Sequence, residues 1–300
     1  MKARHYIIPV ILLAAACQVE QPVNPDHAEE FLEAAADSVF TLTIPASKGE
    51  PDTKALDLVN DGKTLNFYWQ NTEFVKVYKD GTLVGTLSVT PSEGEKPTSA
   101  TLGGDITVAG LAQGDELTLL FPREEWSYTG QTGTLASIEA GYDYATATVT
   151  ISEIIGNQVT TTAGAHFENQ QSVYRFGFKD GETYIDPKSF TVSASNGALV
   201  TGCAWNGSAW SSSFGPLTIT PASAAADHFY YTSIRNESTV EDSYGFVVTG
   251  SDDALYMGTK TIPASVLDVP GKFISAKSIS VSKPDFAPAS GDVSDPAAVL

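Results

Sequence analysis

Short runs in which apolar and polar residues alternate dominate this chain. Phe40-Thr41-Leu42-Thr43-Ile44 alternates strictly and places three large apolar side chains on one face of a strand. Further strand-like runs fall at 65–69, 74–78, 83–89, 117–121 and 146–151. A second series occupies 174–178, 190–194, 217–220, 229–234, 244–249 and 273–281. Asp61-Gly62, Asp80-Gly81 and Asp180-Gly181 stand between such runs, where a tight turn needs residues that tolerate positive φ. Asp80-Gly81 marks the clearest hairpin. Helical spacing occurs ahead of the strands, where Asn24 reads as an N-cap, Pro25 as the first helical residue and Asp26 as a first-turn acid. With Ala28, Phe31, Leu32 and Ala35 on one face, a helix of about three turns is predicted, ending near Asp37.

Many short strands with turn signals between them, and little helical spacing after residue 38, indicate an all-β chain built as antiparallel sandwiches. Residues 156–171 are polar, rich in Thr, Asn and Gln, and separate the two series. The reading is therefore two tandem β-sandwich lobes, 39–165 and 166–283, with a short N-terminal helix. Residues 284–300 contain Pro284, Pro288 and Pro296 among Ser, Gly and Asp, which favours an extended, flexible tail.

The first residues bear on the compartment. Lys2 and Arg4 precede an apolar run, 6–16, that is too short to span a membrane, so residues 1–16 read as a signal peptide. Leu12-Leu13-Ala14-Ala15-Ala16-Cys17 resembles the lipobox of bacterial lipoproteins. That resemblance implies lipidation at Cys17, with residues 17–38 as tether and short helix. An ordinary cleaved signal, with Cys17 incidental, is the competing reading. Each buried CH₂ of an acyl chain adds about 0.8 kcal/mol of membrane affinity, and two or more chains hold a protein firmly.

Charge and cysteines narrow the partners. The sequence has 36 acids against 17 basic residues, a net charge of −19. Cleavage before Cys17 removes two positive charges, Lys2 and Arg4, and takes this to −21. Nucleic acid is excluded as a partner, because it needs Lys/Arg clusters that this chain lacks. The acids are scattered, which reads as solubility. With Cys17 acylated, Cys203 alone remains, so no intrachain disulfide and no cysteine-based metal motif can form. Cys203 reads as a small buried hydrophobe.

A search for catalytic chemistry finds no G-x-S-x-G elbow, H-E-x-x-H, P-loop or G-x-G-x-x-G pattern. His27, His166 and His228 show no arrangement suited to a base, and Asp252-Asp253 lacks the ligand series of a calcium loop. The chain reads as a non-enzyme with no cofactor and no metal. Trp205 and Trp210 flank Asn206-Gly207-Ser208-Ala209 in a loop-like segment. Exposed, they are candidates for glycan contact; buried, they are core.

Several longer stretches carry a family likeness. They are Thr53-Lys54-Ala55-Leu56-Asp57-Leu58, Asp61-Gly62-Lys63-Thr64-Leu65 before Phe67-Tyr68-Trp69, and Leu111-Ala112-Gln113-Gly114-Asp115-Glu116-Leu117 before Leu120-Phe121-Pro122. Tyr128-Thr129-Gly130-Gln131-Thr132-Gly133-Thr134-Leu135 then precedes Tyr142-Asp143-Tyr144-Ala145-Thr146-Ala147, and Pro270-Gly271-Lys272-Phe273 precedes the last strand run. In order and spacing these resemble the fimbrillin family, lipoproteins that build or decorate type V pili, over most of the chain up to about Lys283.

The resemblance implies transthyretin-like sandwich lobes, an acyl anchor in the outer membrane and a place on the cell surface or in a fimbrium. It also implies assembly by strand exchange, in which an Arg/Lys-specific protease removes the first strand and a neighbour's terminal strand refills the groove. Carried onto this sequence, Phe40, Leu42 and Ile44 form the removable strand, and Lys48 and Lys54 are the candidate cuts. Burying those three side chains is worth roughly 1.5–3 kcal/mol each. An ordinary exposed loop lysine is the alternative for Lys48. The implied partners are other pilus subunits, the outer membrane, and a surface glycan or protein. After Lys283, Phe286 is isolated and Pro288 and Pro296 each remove a ladder donor. The donor is therefore 273–281, or the chain only accepts a strand, which favours an accessory, tip or anchor subunit over a shaft subunit. The rival reading is a glycan-binding surface lipoprotein that does not polymerise.

Overall fold

The alternation that begins at Phe40 continues past Ile44, because Ala46 and Lys48 also point inward, and the first strand, β1, spans Ser38–Lys48. The computed structural model describes residues 37–48, 67–267 and 270–284. The signal segment, Cys17, the tether and its helix, Lys54, Asp61-Gly62 and the tail from 285 lie outside the described residues.

The next strands are β2 (Phe74–Lys79), β3 (Thr82–Pro91), β4 (Ser99–Val108), β5 (Glu116–Phe121) and β6 (Glu125–Ser127). Helix α1 (Leu135–Gly141) follows, capped by the Thr134 hydroxyl, which accepts from the Ser137 amide. Then come β7 (Ala145–Ile155), β8 (Gln158–Thr161) and β9 (Ala165–Asn169). The second set is β10 (Ser172–Asp180), β11 (Thr183–Tyr184), β12 (Pro187–Ala194), β13 (Val200–Trp205), β14 (Trp210–Phe214), β15 (Leu217–Ile219), β16 (Tyr230–Ile234), β17 (Asp242–Gly250) and β18 (Leu255–Ile262). Helix α2 (Ala264–Leu267) and β19 (Phe273–Ser280) complete the described chain.

The protein is all-β, as its alternation predicts. In the first half the strands form one sheet in the order β9-β1-β4-β3-β2-β5-β7-β8, and the pairings β1–β8 and β7–β9 close it into a barrel-like ring. Closure rather than two open sheets follows from β8 and β9, which run parallel to β1 and cover the side that would otherwise be an edge. Leu42, Ile44, Val75, Leu87, Leu102, Leu117 and Phe167 are among the residues that fill the ring. The second half holds three smaller sheets: β11-β10-β16 with β19 on β10, β15-β12-β17-β18, and β14-β13-β6. Their core is strongly aromatic, including Tyr174, Phe176, Phe190, Tyr244 and Phe246.

Three sequence expectations need correction here. The division at 165/166 falls inside the ring's last strand, since β9 pairs with β1 and β7. The polar stretch concealed β8 and β9 because each turns only one or two apolar residues inward, Val159 in one and Ala165 and Phe167 in the other. The first half also lends residues to the second: β6 pairs with β13, and Trp126, Tyr128 and Tyr144 join the second core. Finally, residues 67–69 form no strand; Phe67 and Trp69 are buried, but the Trp69 amide finds its partner at the Pro97 carbonyl, outside any ladder.

The two halves meet at a pair of glycine turns. Asp80 and Gly81 have φ of 47° and 83°, which closes the β2–β3 hairpin as the dipeptide predicts. Gly207, with φ 101°, lies in the turn between β13 and β14, and a Cβ there would sit 2.2 Å from the Gly81 carbonyl oxygen. Backbone cannot swing aside as a side chain can. Gly207→Ala is therefore expected to cost about 1–3 kcal/mol in urea unfolding, whereas Ser208→Ala, in the same turn, serves as the near-neutral control. Equal stability of the two variants would mean that the turns are not in contact.

Candidate functional site

β1 is held by strands that are all remote from it in sequence. On one side it runs antiparallel to β4 from Ser38 opposite Val108 to Ser47 opposite Ser99. On the other side Thr41 and Leu42 pair in parallel with β8, and 46–48 with β9. Pro45 falls between those two parallel pairings, where no ladder partner on that side is forgone. Leu42 and Ile44 are fully buried, and Phe40 packs against the edge of the same core. Ala46 lies opposite Ala100 on β4 and Ala165 on β9, so three buried small residues meet at one level of the ring.

The strand ends on a buried cation. Lys48 continues the inward parity of Leu42, Ile44 and Ala46, and its side chain is 0% exposed. Its Nζ donates to Asp143 Oδ2 at 3.0 Å, the Tyr68 carbonyl at 3.2 Å and Glu73 Oε1 at 3.4 Å. Three acceptors match the three protons of an ammonium. The same nitrogen lies 3.6 Å from the centre of the Phe121 ring and 4.4 Å from that of Trp69, within cation–π range. Trp69 is in turn packed edge-on against Phe121 and Phe167.

The acids of this box are themselves mostly desolvated. Asp143 is 7% exposed and Glu73 18%. Burial raises the Glu73 pKa above its ordinary 4.5, opposed by Lys48 and by the Gln70 amide, which donates to Oε2. Asp143 Oδ1 has no hydrogen-bond partner. Both carboxylates line a surface cleft of about 620 Å³, together with Gln70, Phe121, Arg123 and Glu139.

This arrangement corrects the placement of Lys48, which lies in the strand and not in a loop, and is sealed rather than exposed. An Arg/Lys-specific protease must take the lysine side chain into its own pocket, so cleavage there requires the end of β1 to open first. Sequence reading missed Glu73, Asp143, Trp69 and Phe121 as partners of Lys48. One signal was available: Lys48 shares the parity of the apolar face.

Trp205 and Trp210 are also placed differently from the loop-like reading. They are a cross-strand pair on β13 and β14, both half-buried, with ring centres 5.3 Å apart. Trp210 lies against Trp126, and Trp205 meets Tyr78 of the ring edge-on, so the pair packs into the joint between the halves. Cys203 is buried, which pushes its thiol up to about 11 and keeps it protonated at neutral pH. His166 meets the Ser47 hydroxyl on the outer face, and His228 binds Asp186 while stacking on Tyr184. Among the described residues no group of three or more His, Cys, Asp or Glu side chains is placed to hold a metal ion. Nor is any described helix long and apolar enough to cross a membrane. The candidate donor segment is built into the second half: β19 runs parallel to β10, with Ala276, Ile279 and Val281 buried.

No protein-family model matches this chain, and no curated protein matches it in sequence. Among solved structures, a fimbrial assembly protein from Parabacteroides distasonis is similar at 9% identity, with a TM-score of 0.42, over 80% of this chain and 90% of that one. A protein described as a "putative cell adhesion protein" from Bacteroides ovatus is similar at 12% identity and a TM-score of 0.41, over 83% and 97%. One with the same description from Bacteroides uniformis is similar at 14% identity and 0.41, over 81% and 96%.

Proposed function

We propose that this chain is a fimbrillin-like surface lipoprotein, a structural or accessory pilus subunit that receives a partner's strand in place of β1 and contributes to adhesion. The observation that carries the reading is the seat of β1, an apolar strand whose neighbours β4, β8 and β9 all come from elsewhere in the chain. Taking it away removes no connection between the remaining strands and leaves an apolar groove edged by unpaired backbone. Such a groove recovers its lost burial and hydrogen bonds by accepting another strand. The sequence likeness to fimbrillins supports the same reading, with Cys17 as the acyl anchor in the outer membrane and Lys54 or Lys48 as the cut. The seating of β19 in the second core favours an accepting tip, anchor or accessory role over that of a shaft subunit that also donates.

The test is brief digestion of purified residues 18–300 with an Arg/Lys-specific protease, followed by intact mass and an unheated denaturing gel with candidate donor peptides. Cutting at Lys48 or Lys54 with release of the β1 segment and stable uptake of a strand is the expected result. A chain that resists cutting at both lysines, or that loses β1 and accepts no strand, sinks the proposal.

A further inference from the structure

The box around Lys48 and the alanine level beside it carry information about what fits the groove. Removing β1 together with Lys48 would leave Asp143, Glu73, the Tyr68 carbonyl and the faces of Trp69 and Phe121 turned toward one vacated point. Every one of these groups offers negative charge, lone pairs or a π face, and none donates a proton to that point. A neutral side chain there would leave two largely buried carboxylates uncompensated, and an anionic one would add a third like charge. One level further in, the native occupant is itself small: Ala46 is buried opposite Ala100 and Ala165 in the closed, packed ring.

We propose that the groove reads an incoming strand by the pattern large-x-large-x-small-x-Lys, the box selecting the alkylammonium of its last residue. The inference rests on the strand-exchange reading above and deepens it. In β1 the pattern is Leu42, Ile44, Ala46 and Lys48. No other lysine in the sequence follows large apolar residues at −6 and −4 with a small residue at −2, and residues 284–300 contain no lysine at all. Within residues 1–300 the pattern therefore belongs to β1 alone, and the occupant proposed is a strand of another polypeptide that carries it.

The experiment uses residues 18–300 with a site for a specific protease substituted into 50–56, nicked so that β1 stays bound without a covalent link. Fluorescent peptides of sequence 38–48 are offered in mild urea: the native sequence, its Lys48→Met and Ala46→Leu variants, and a scrambled control. The native peptide is expected to exchange in. The Met variant should bind about a hundredfold or more weaker, the effect of leaving a buried charge pair broken. The Leu variant should lose about tenfold or more through overpacking. Uptake of native and Met peptides to the same extent overturns selection by the box while leaving strand exchange standing. Uptake of none, with the nick confirmed by mass, removes strand exchange and this inference with it. A second arm repeats the comparison with nicked Asp143→Asn protein, checked for folding by circular dichroism. There the preference for Lys over Met should shrink at least tenfold, and an unchanged preference would reduce Lys48 to a packing role.

Discussion

Replacing Lys48 by methionine in the intact chain should lower its unfolding free energy by about 3–5 kcal/mol at neutral pH. Methionine has nearly the length of the lysine stem, so the loss comes from charge and not from a cavity. Asp143 and Glu73 would keep their places, 7% and 18% exposed, without the cation that both now contact. The loss should depend on pH with a definite sign. Glu73 already has a pKa raised above 4.5 by burial, and Lys48 is the largest influence lowering it. Without Lys48 it rises further. A carboxyl with a raised folded pKa binds its proton in the folded state first, so stability falls as pH rises from about 4.5 through the folded value. The deficit of the variant should accordingly be largest near pH 7 and narrow as the pH is lowered toward 4.5. Urea unfolding followed by tryptophan fluorescence at several pH values measures both quantities. Adding Asp143→Asn to Lys48→Met should return part of the stability at pH 7, since one of the two stranded charges is then gone. A deficit below about 1 kcal/mol, or one that does not change with pH, would mean that the box is open to water and that Lys48 contributes little.

Ile44→Ala is the second large effect, expected at about 2–5 kcal/mol. Ile44 is fully buried at the middle of β1, opposite Leu102 on β4, and belongs to the core that closes the ring. Its truncation leaves a void between strands that are hydrogen-bonded around a closed sheet and have little freedom to collapse into it. Thr43→Ala is the internal control: its side chain is on the exposed face of the same strand, and it should stay within about 0.5 kcal/mol of the parent. The urea dependence should keep its slope in both variants, so that the shift in midpoint reports stability alone. A loss at Ile44 as small as that at Thr43 would show that β1 is only loosely seated, and would remove the energetic basis for refilling its groove.

What the sequence determined by itself is what depends on local period. Strict alternation at 40–44 marked β1 and its buried face, and Asp80-Gly81 marked a hairpin whose two residues do adopt positive φ. The long alternating or β-branched runs marked most of the remaining strands, because a pleated strand imposes a period of two on its own residues whatever it packs against. Legibility failed where the local signal was diluted. Gly103-Gly104 interrupts the apolar face of β4, the principal partner of β1, and β8 and β9 are too short and polar to stand out. Tertiary structure alone decided the closure of the ring, because pairing between strands a hundred residues apart leaves no trace in either strand taken singly. It also decided the meaning of Lys48. A lysine after a strand is ordinarily solvated, and here it is buried only because Glu73, Phe121 and Asp143, brought from three other segments, converge on its nitrogen. Desolvating a charge is favourable only when its partners are already in place, and that condition belongs to the fold as a whole and not to any stretch of the chain.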